Sequence, residues 1–320
     1  MAKLENMQMD RLNFACVSRN YFNMPIWIAE DVGFFAEEGL AVTIEHIEGV
    51  DDVTGRLRQG HAQLVYGISE HVVLDHEAGG KQQIIGGNIN RLPFSLISQS
   101  SIKTIADLRG KIIGVSSLEA GSSSLIIELL KQSGLNYPAD YRMEAVGPIL
   151  ARWDKLQSGT IDAGLQGAPL NYIAEDQGYC SLCEPRNIIP DFQFTSLHVN
   201  YDWAEANHDL VVRFMRAFIK AHQWFNANRE GCRAIAMART GINTHYADRA
   251  WNDYVADSIF PADGNASTKA LQSLINISGL IRAIPNRIKT HADDYINRQY
   301  WKYAMTSLGR GNKVLAPQSG

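Results

Sequence analysis

The chain has 320 residues, 45% of them hydrophobic, with a formal net charge of −4 and 20% charged side chains. It is long enough to bury a full core and to divide into two lobes of ordinary domain size. It carries no basic run, Arg-rich face or RNA-binding signature, which argues against a nucleic-acid partner, and no stretch approaches the roughly 18 uninterrupted apolar residues of a membrane helix.

The N-terminal segment MAKLENMQMDRLNFACVS lacks the charged start, apolar centre and small-residue cleavage site of a secretory signal. The expected location is cytoplasmic if the sequence is complete, and periplasmic if an export leader precedes it. Residues 12–17 (LNFACV) form an apolar run ending in Ser18-Arg19-Asn20-Tyr21, a buried strand and its exit turn. In MPIWIAEDVGFFAEEGL, Pro25 near the start and Gly33 near the end frame a helix. Residues 41–47 alternate as a half-buried strand and 63–67 close a first βαβαβ unit, which predicts a parallel sheet with helices on both faces. Residues 84–88 and 93–98 are further strand signals, and SIKTIADLRG leads into KIIGVS, the strand that opens a second lobe. Gly121 to Ser124 start a helix through Lys131; YRMEAV, a helix over 148–158, DAGLQ and a helix over 169–177 complete a second βαβαβ unit. After QFTSLHVN at 193–200 the pattern is helical, over 208–228, 230–240, 246–258 and 267–280.

The chain repeats itself. Residues 57–88 are echoed 99 positions later by 156–187, with Leu57, Gly60, Gly79 and Asn88 aligned to Leu156, Gly159, Gly178 and Asn187. Two such copies predict two similar lobes: lobe I at 1–96 and 196–320, lobe II at 97–195. The crossings near 95–102 and 190–196 form a two-strand hinge. Ligands of open α/β sheets bind outside the carboxyl ends of the strands, so the cleft between facing lobes is the place to look for function.

Loops at strand ends supply the candidate residues. In lobe I these are Arg19, Asn20 and Tyr21 after the first strand, and Gly67, Ile68, Ser69 and Glu70 after the third. In lobe II, Ser116, Ser117, Gly121, Ser122, Ser123 and Ser124 lie between a strand and a helix N-terminus, where free N–H groups attract an anion and serines also serve as caps. The run lacks the Gly-Lys-Ser/Thr ending of a P-loop. Gln166 and Gly167 occupy the second copy's equivalent of Gly67 and Ile68. Asn88 and Arg91 lie at the first crossing, placed either to touch ligand or to brace the hinge. The nine histidines show no metal-ligand spacing, and Cys180-x-x-Cys183 has no second pair or nearby His, so no metal or cofactor is expected.

The segments WIAEDVGFFAEEGL (27–40), IADLRGKIIGV (105–115) and LQSGTIDA (156–163) resemble the type-2 periplasmic substrate-binding proteins, in the branch of taurine, alkanesulfonate and thiamine-pyrimidine binders and NMT1/THI5-like proteins. The resemblance implies an α/β fold of two lobes, each a mainly parallel sheet flanked by helices. It also implies that the lobe I loops hold one end of a ligand and the Ser122 turn the other. The function it implies is a monomeric binding protein that closes on a small organic anion or heterocycle (a sulfonate, aromatic carboxylate or pyrimidine-like molecule) and presents it to an ABC permease. The alternative is a cytosolic enzyme on the same fold: a THI5-like pyrimidine synthase, or a lyase of desulfinase-like or decarboxylase-like type. A desulfinase of this branch uses a cysteine just after strand one, where this chain has Asn20, and the cysteine-rich THI5 motif is absent. Glu70 and His71 are then the acid/base candidates. Where relatives often carry Glu-Pro or Asp-Pro, this chain has Ala168-Pro169.

Overall fold

The computed structural model describes residues 9–118, 121–278 and 290–314. The described residues hold ten strands: β1 (Asp10–Val17), β2 (Leu40–Ile47), β3 (Leu64–Ile68), β4 (Gln82–Ile89), β5 (Phe94–Ser98), β6 (Ile112–Val115), β7 (Arg142–Ala145), β8 (Ala163–Gly167), β9 (Cys180–Cys183) and β10 (Thr195–Asn200). They form two five-stranded sheets, ordered β2-β1-β3-β10-β4 and β7-β6-β8-β5-β9. In the first, β10 runs antiparallel to β3 and β4; in the second, β5 runs antiparallel to β8 and β9. Each sheet is therefore mainly parallel, with one reversed strand delivered by the chain as it crosses over.

The internal echo is a structural repeat. Ala15 lies opposite Val65 in the first sheet, and Gly114 lies opposite Gly164 in the second, each pair displaced by the same offset. Gly60 and Gly159 both have φ +72°, and Gly79 and Gly178 have φ +81° and +86°. These positive values are accessible to glycine at little cost, which is why the turns kept glycine in both copies. The echo fails at its end: Asn88 lies in β4, whereas Asn187 closes a 3-10 turn after β9, so the two are not equivalent.

The segment PFSLIS at 93–98 supplies β5, which already belongs to the second sheet. The chain thus crosses at residues 90–93, earlier than the pattern indicated, because an apolar run does not reveal which sheet it joins. It returns through 184–194, beside the first connector. Phe192 N–H donates to Asn90 C=O at 3.2 Å and Phe194 N–H to Ile89 C=O at 2.9 Å.

Helices cover both sheets. The first sheet's outer face receives the helix Met24–Asp31 and the long helix His208–Ala227, whose Phe214 stacks on Phe14 at 5.9 Å. The helices Val50–Arg58 and Ile149–Gln157 occupy matching places over the two sheets, each closing a small apolar cluster: Ala15, Val53, Leu57, Ala62 and Val65 in one, Ile97, Trp153, Leu156, Ile161 and Ala174 in the other. The expected helix over 267–280 is observed as Thr268–Ser278, with 279–280 outside the described residues. No described helix is long and apolar enough to cross a membrane.

Candidate functional site

Two connected hollows lie between the sheets. The outer, of about 360 Å³, is lined by Arg19 and Asn20 from the first lobe, by Ile149, Pro169 and Ile173 from the second, and by Thr240, Asn243 and Tyr246 from the C-terminal helices and the turn between them. The inner, of about 30 Å³, is lined by Asn20, Ile68, Ser116, Ile149, Arg152 and Thr195, and by Phe22, Phe94 and Phe194. Asn20 and Ile149 border both. A larger groove of about 1310 Å³ lies elsewhere, between His208 and the helix Gln299–Val314. It faces neither set of strand ends, whereas the two smaller hollows sit where both do.

The loop after β1 is built by its own side chains. Asn20 Nδ2 donates to the Val17 carbonyl at 3.1 Å and Asn20 Oδ1 accepts from Phe22 N–H at 2.9 Å, while Asn23 Nδ2 donates to the Ser18 carbonyl at 2.7 Å. These bonds hold Ser18 at φ +36°, a region a side chain enters only under constraint. Arg19 is thereby left exposed at the rim of the outer hollow. Tyr21 goes elsewhere, its ring edge-on to Tyr254 at 4.8 Å and to Phe225 at 6.4 Å within the core.

The loop after β3 divides its labour. Gly67 makes room for the His198 ring, which a Cβ would approach to 2.9 Å. Ser69 shares a 2.8 Å hydrogen bond with Ser196, and Ile68 lines the inner hollow. Glu70, buried, reaches across to the other lobe, where its Oε2 accepts from Gly121 N–H at 3.0 Å. His71 points the opposite way: Nδ1 lies 3.0 Å from Thr54 Oγ1 and Nε2 3.0 Å from Asp51 Oδ1. That bond holds the Asp51 carboxyl below its usual range. With both ring nitrogens occupied inside the first lobe, His71 is not aimed at the cleft.

In the second lobe, the turn before the helix Ser122–Gln132 is closed internally. Ser116 N–H donates to Ser122 Oγ at 2.8 Å, and Ser122 N–H to Ser116 Oγ at 3.2 Å. Gly121 has φ +75°, and a Cβ there would meet Ser116 Oγ at 2.7 Å. The positive end of this helix, assigned from sequence to a ligand's anion, thus already receives the protein's own Glu70 carboxylate. Ser117 is half-buried beside the turn and Ser123 is fully buried one position into the helix. Gln166 is fully buried, and neither end of its amide has a partner. Gly167 lies against Ile149 and Phe94.

The two crossing residues serve the connectors. Arg91 Nε donates to the Pro190 carbonyl at 3.2 Å and Nη1 to the Asp257 carbonyl at 2.9 Å, so it braces the hinge. Asn88 Nδ2 donates at 3.2 Å to the Phe22 carbonyl and to Thr195 Oγ1, tying the β1 loop to β10.

Sequence reasoning missed Arg152. It is 2% exposed, lines the inner hollow, and donates from Nε to the Leu165 carbonyl at 2.7 Å. Its Nη1 has no partner. Burial alone pulls its pKa down to about 10, which leaves it charged at neutral pH. A signal was present: Ile149, Arg152, Trp153 and Leu156 share one helix face, and three of them are apolar. The thiols offer no nucleophile here. Cys16 is raised by burial in β1, and burial pushes Cys183 up to about 11. All four cysteines are free, and the described residues contain no His/Cys/Asp/Glu group able to hold a metal.

Comparisons with known proteins bear on the fold and the family. The 4-amino-5-hydroxymethyl-2-methylpyrimidine phosphate synthase of Uromyces fabae is 25% identical over 260 residues, 74% of each chain. Among solved structures, the alkanesulfonate-binding protein of Xanthomonas axonopodis pv. citri, bound to MOPS, superposes with TM-score 0.73 at 17% identity, covering 90% of this chain and 98% of that one. A ligand-binding component of an ABC-type import system from Staphylococcus aureus gives TM-score 0.78 at 11% identity, covering 92% and 99%. At such identities these two structures establish the fold, a two-lobed periplasmic-binding-protein architecture. The sequence pattern described as NMT1/THI5 like matches residues 20–231, and the chain belongs to that family.

Proposed function

We propose that the protein binds a small organic molecule in the interlobe cleft and closes its lobes around it, in the manner of an ABC-importer binding protein. The observation that carries this reading is a pair of adjoining hollows walled by both lobes, which the Glu70–Gly121 bond also joins. An outer volume of about 360 Å³ is in the range that holds small ligands. Closure buries most of such a ligand and makes a few polar groups decisive for specificity.

A second reading is favoured by the likeness to the Uromyces fabae synthase over 74% of each chain: catalysis on a pyrimidine-forming substrate. Glu70 is then the acid/base candidate, a buried carboxylate that reaches from one lobe to the other, and His71 is a scaffold residue. The discriminating experiment identifies by mass spectrometry the small molecule released when the purified protein is denatured, then returns it to fresh protein. Recovery unchanged with a raised melting temperature supports the binder. Conversion to a product that Glu70→Gln abolishes supports the enzyme.

A further inference from the structure

The two lobes give an internal control. At the offset that relates them, Ala15, Val53 and Val65 of the first lobe correspond to Gly114, Arg152 and Gly164 of the second. In the first lobe the three side chains belong to one closed apolar cluster. In the second, both strand positions have lost their Cβ and the helix position has become an arginine. The glycine at 164 fits the arginine, since a Cβ there would come within 2.9 Å of Arg152 Cδ, while a Cβ on Gly114 would first meet Ile161 and reach Arg152 Cγ at an ordinary 3.4 Å. The missing Cβ at Gly164 lets the arginine stem lie along the sheet, and Arg152 lines the inner hollow.

A buried guanidinium costs several kcal/mol unless paired, and this one has only a carbonyl. Among the described residues no carboxylate forms an ion pair with it, and burial lowers its pKa. Beside it lies an aromatic wall. Phe22, Phe94 and Phe194 meet edge-to-face at 5.7, 6.2 and 5.0 Å. They come from the first lobe, the second lobe and a connector, and all three line the same hollow as Arg152.

We propose that Arg152 is the anion receptor of the cleft, taking the carboxylate or sulfonate of a ligand whose flat apolar body lies against Phe22, Phe94 and Phe194. This rests on the reading of the cleft as the ligand site and decides the ligand's class: a compact organic anion, held at the floor of the second lobe and not at the Ser122 helix. A guanidinium suits either oxyanion, because its planar fork can donate two parallel hydrogen bonds.

Thermal unfolding is followed with four probes at matched concentration: benzoate, benzenesulfonate, and the neutral benzamide and benzyl alcohol. The native protein is expected to be stabilised by the oxyanions more than by their neutral counterparts, the larger shift naming carboxylate or sulfonate. Arg152→Met is expected to weaken the oxyanion response by at least about tenfold, and Arg152→Lys to retain part of it. Without any probe, Arg152→Met is expected to melt no lower than the native protein, since it removes an unpaired buried charge; a purely structural arginine would give the reverse. Equal responses of native and Met variants overturn the assignment and leave the cleft reading standing, because the probes still bind. No response to any probe, neutral or charged, removes both. Should the Met variant fail to fold, the native protein's preference between oxyanions and neutral probes decides, with equal shifts counting against Arg152.

Discussion

Glu70 shows how much one residue can decide. Its helix begins at the end of β3, and the side chain could have turned back to cap that helix or lain in the first lobe. It accepts instead from Gly121 N–H, 51 positions along the chain and in the opposite lobe. A carboxylate meeting the first N–H groups of a helix is favoured by charge and hydrogen bonding together. Glu70→Ala is therefore expected to loosen the lobes, at a cost of about 1–3 kcal/mol for the amide left unsatisfied. Small-angle scattering of the ligand-free variant should show a larger radius of gyration; an unchanged radius would mean the bond does not hold the cleft shut. Residues of this kind were half legible. The loops bearing Asn20, Glu70 and Ser122 follow from strand ends, but Tyr21 and His71 stand next to cleft residues and point into the core or the first lobe. Neighbours in sequence diverge at a turn, and only packing decides which way each one goes.

At the scale of elements, the two helices Val50–Arg58 and Ile149–Gln157 are the same unit put to different uses. Periodicity found both, and the repeat tied them together. The repeat read from the sequence, 57–88 against 156–187, begins just after the position that differs, where a valine is exchanged for arginine on the buried stripe, so the difference emerged only when the offset was carried back through the structure. The sheet surface there is close-packed, so it tolerates no added atoms: Gly164→Ala is expected to lower stability by about 1–3 kcal/mol in a denaturant titration and to displace Arg152. The equivalent Val65→Ala in the first lobe, a truncation in an apolar cluster, should cost a similar amount and leave ligand binding intact. Strand β5 was expected, but its sheet was not, for a different reason. Its apolar run is a sound strand signal, but strand order depends on partners far away in the chain.

At the scale of the whole molecule, the lobes are tied at the back by the connectors and at the front by a polar strap. Tyr246 Oη donates to Asp176 at 2.7 Å, Arg249 pairs with Glu175 at 2.8 Å and lies over the Tyr172 ring at 4.1 Å, and Tyr172 Oη donates to Asp253 at 2.7 Å. Such contacts are individually weak, so Arg249→Ala should cost less than about 1 kcal/mol of stability while raising the rate at which ligand escapes, measured by displacement kinetics. Acid should act on the fold as a unit. Burial lowers His198 and His222 from an ordinary 6.5 to about 3, and His46, which accepts a 3.2 Å bond from Trp27 Nε1, to about 4. All three are neutral when folded, whereas the unfolded chain protonates near 6.5. Their contribution is whole above that value and is lost as pH falls from about 6.5 through about 3. The urea midpoint should decline steadily over the acid side of that window, and His222→Leu should make the decline shallower.

Most strands and helices, the two-lobed α/β class and the family were legible in the linear string, because hydrophobic period, glycine turns and an internal repeat are local; the strand Cys180–Cys183 and the helix Gln299–Val314 were not. The sequence also pointed to the candidate loops at strand ends. Packing settled which sheet β5 joins, that Glu70 occupies the helix end expected from sequence to meet a ligand, that His71 faces away, and that Arg152 has no ion-pair partner among the described residues. Each of those depends on residues far apart in the chain meeting at a few ångströms, and on what each polar group then finds, or fails to find, beside it.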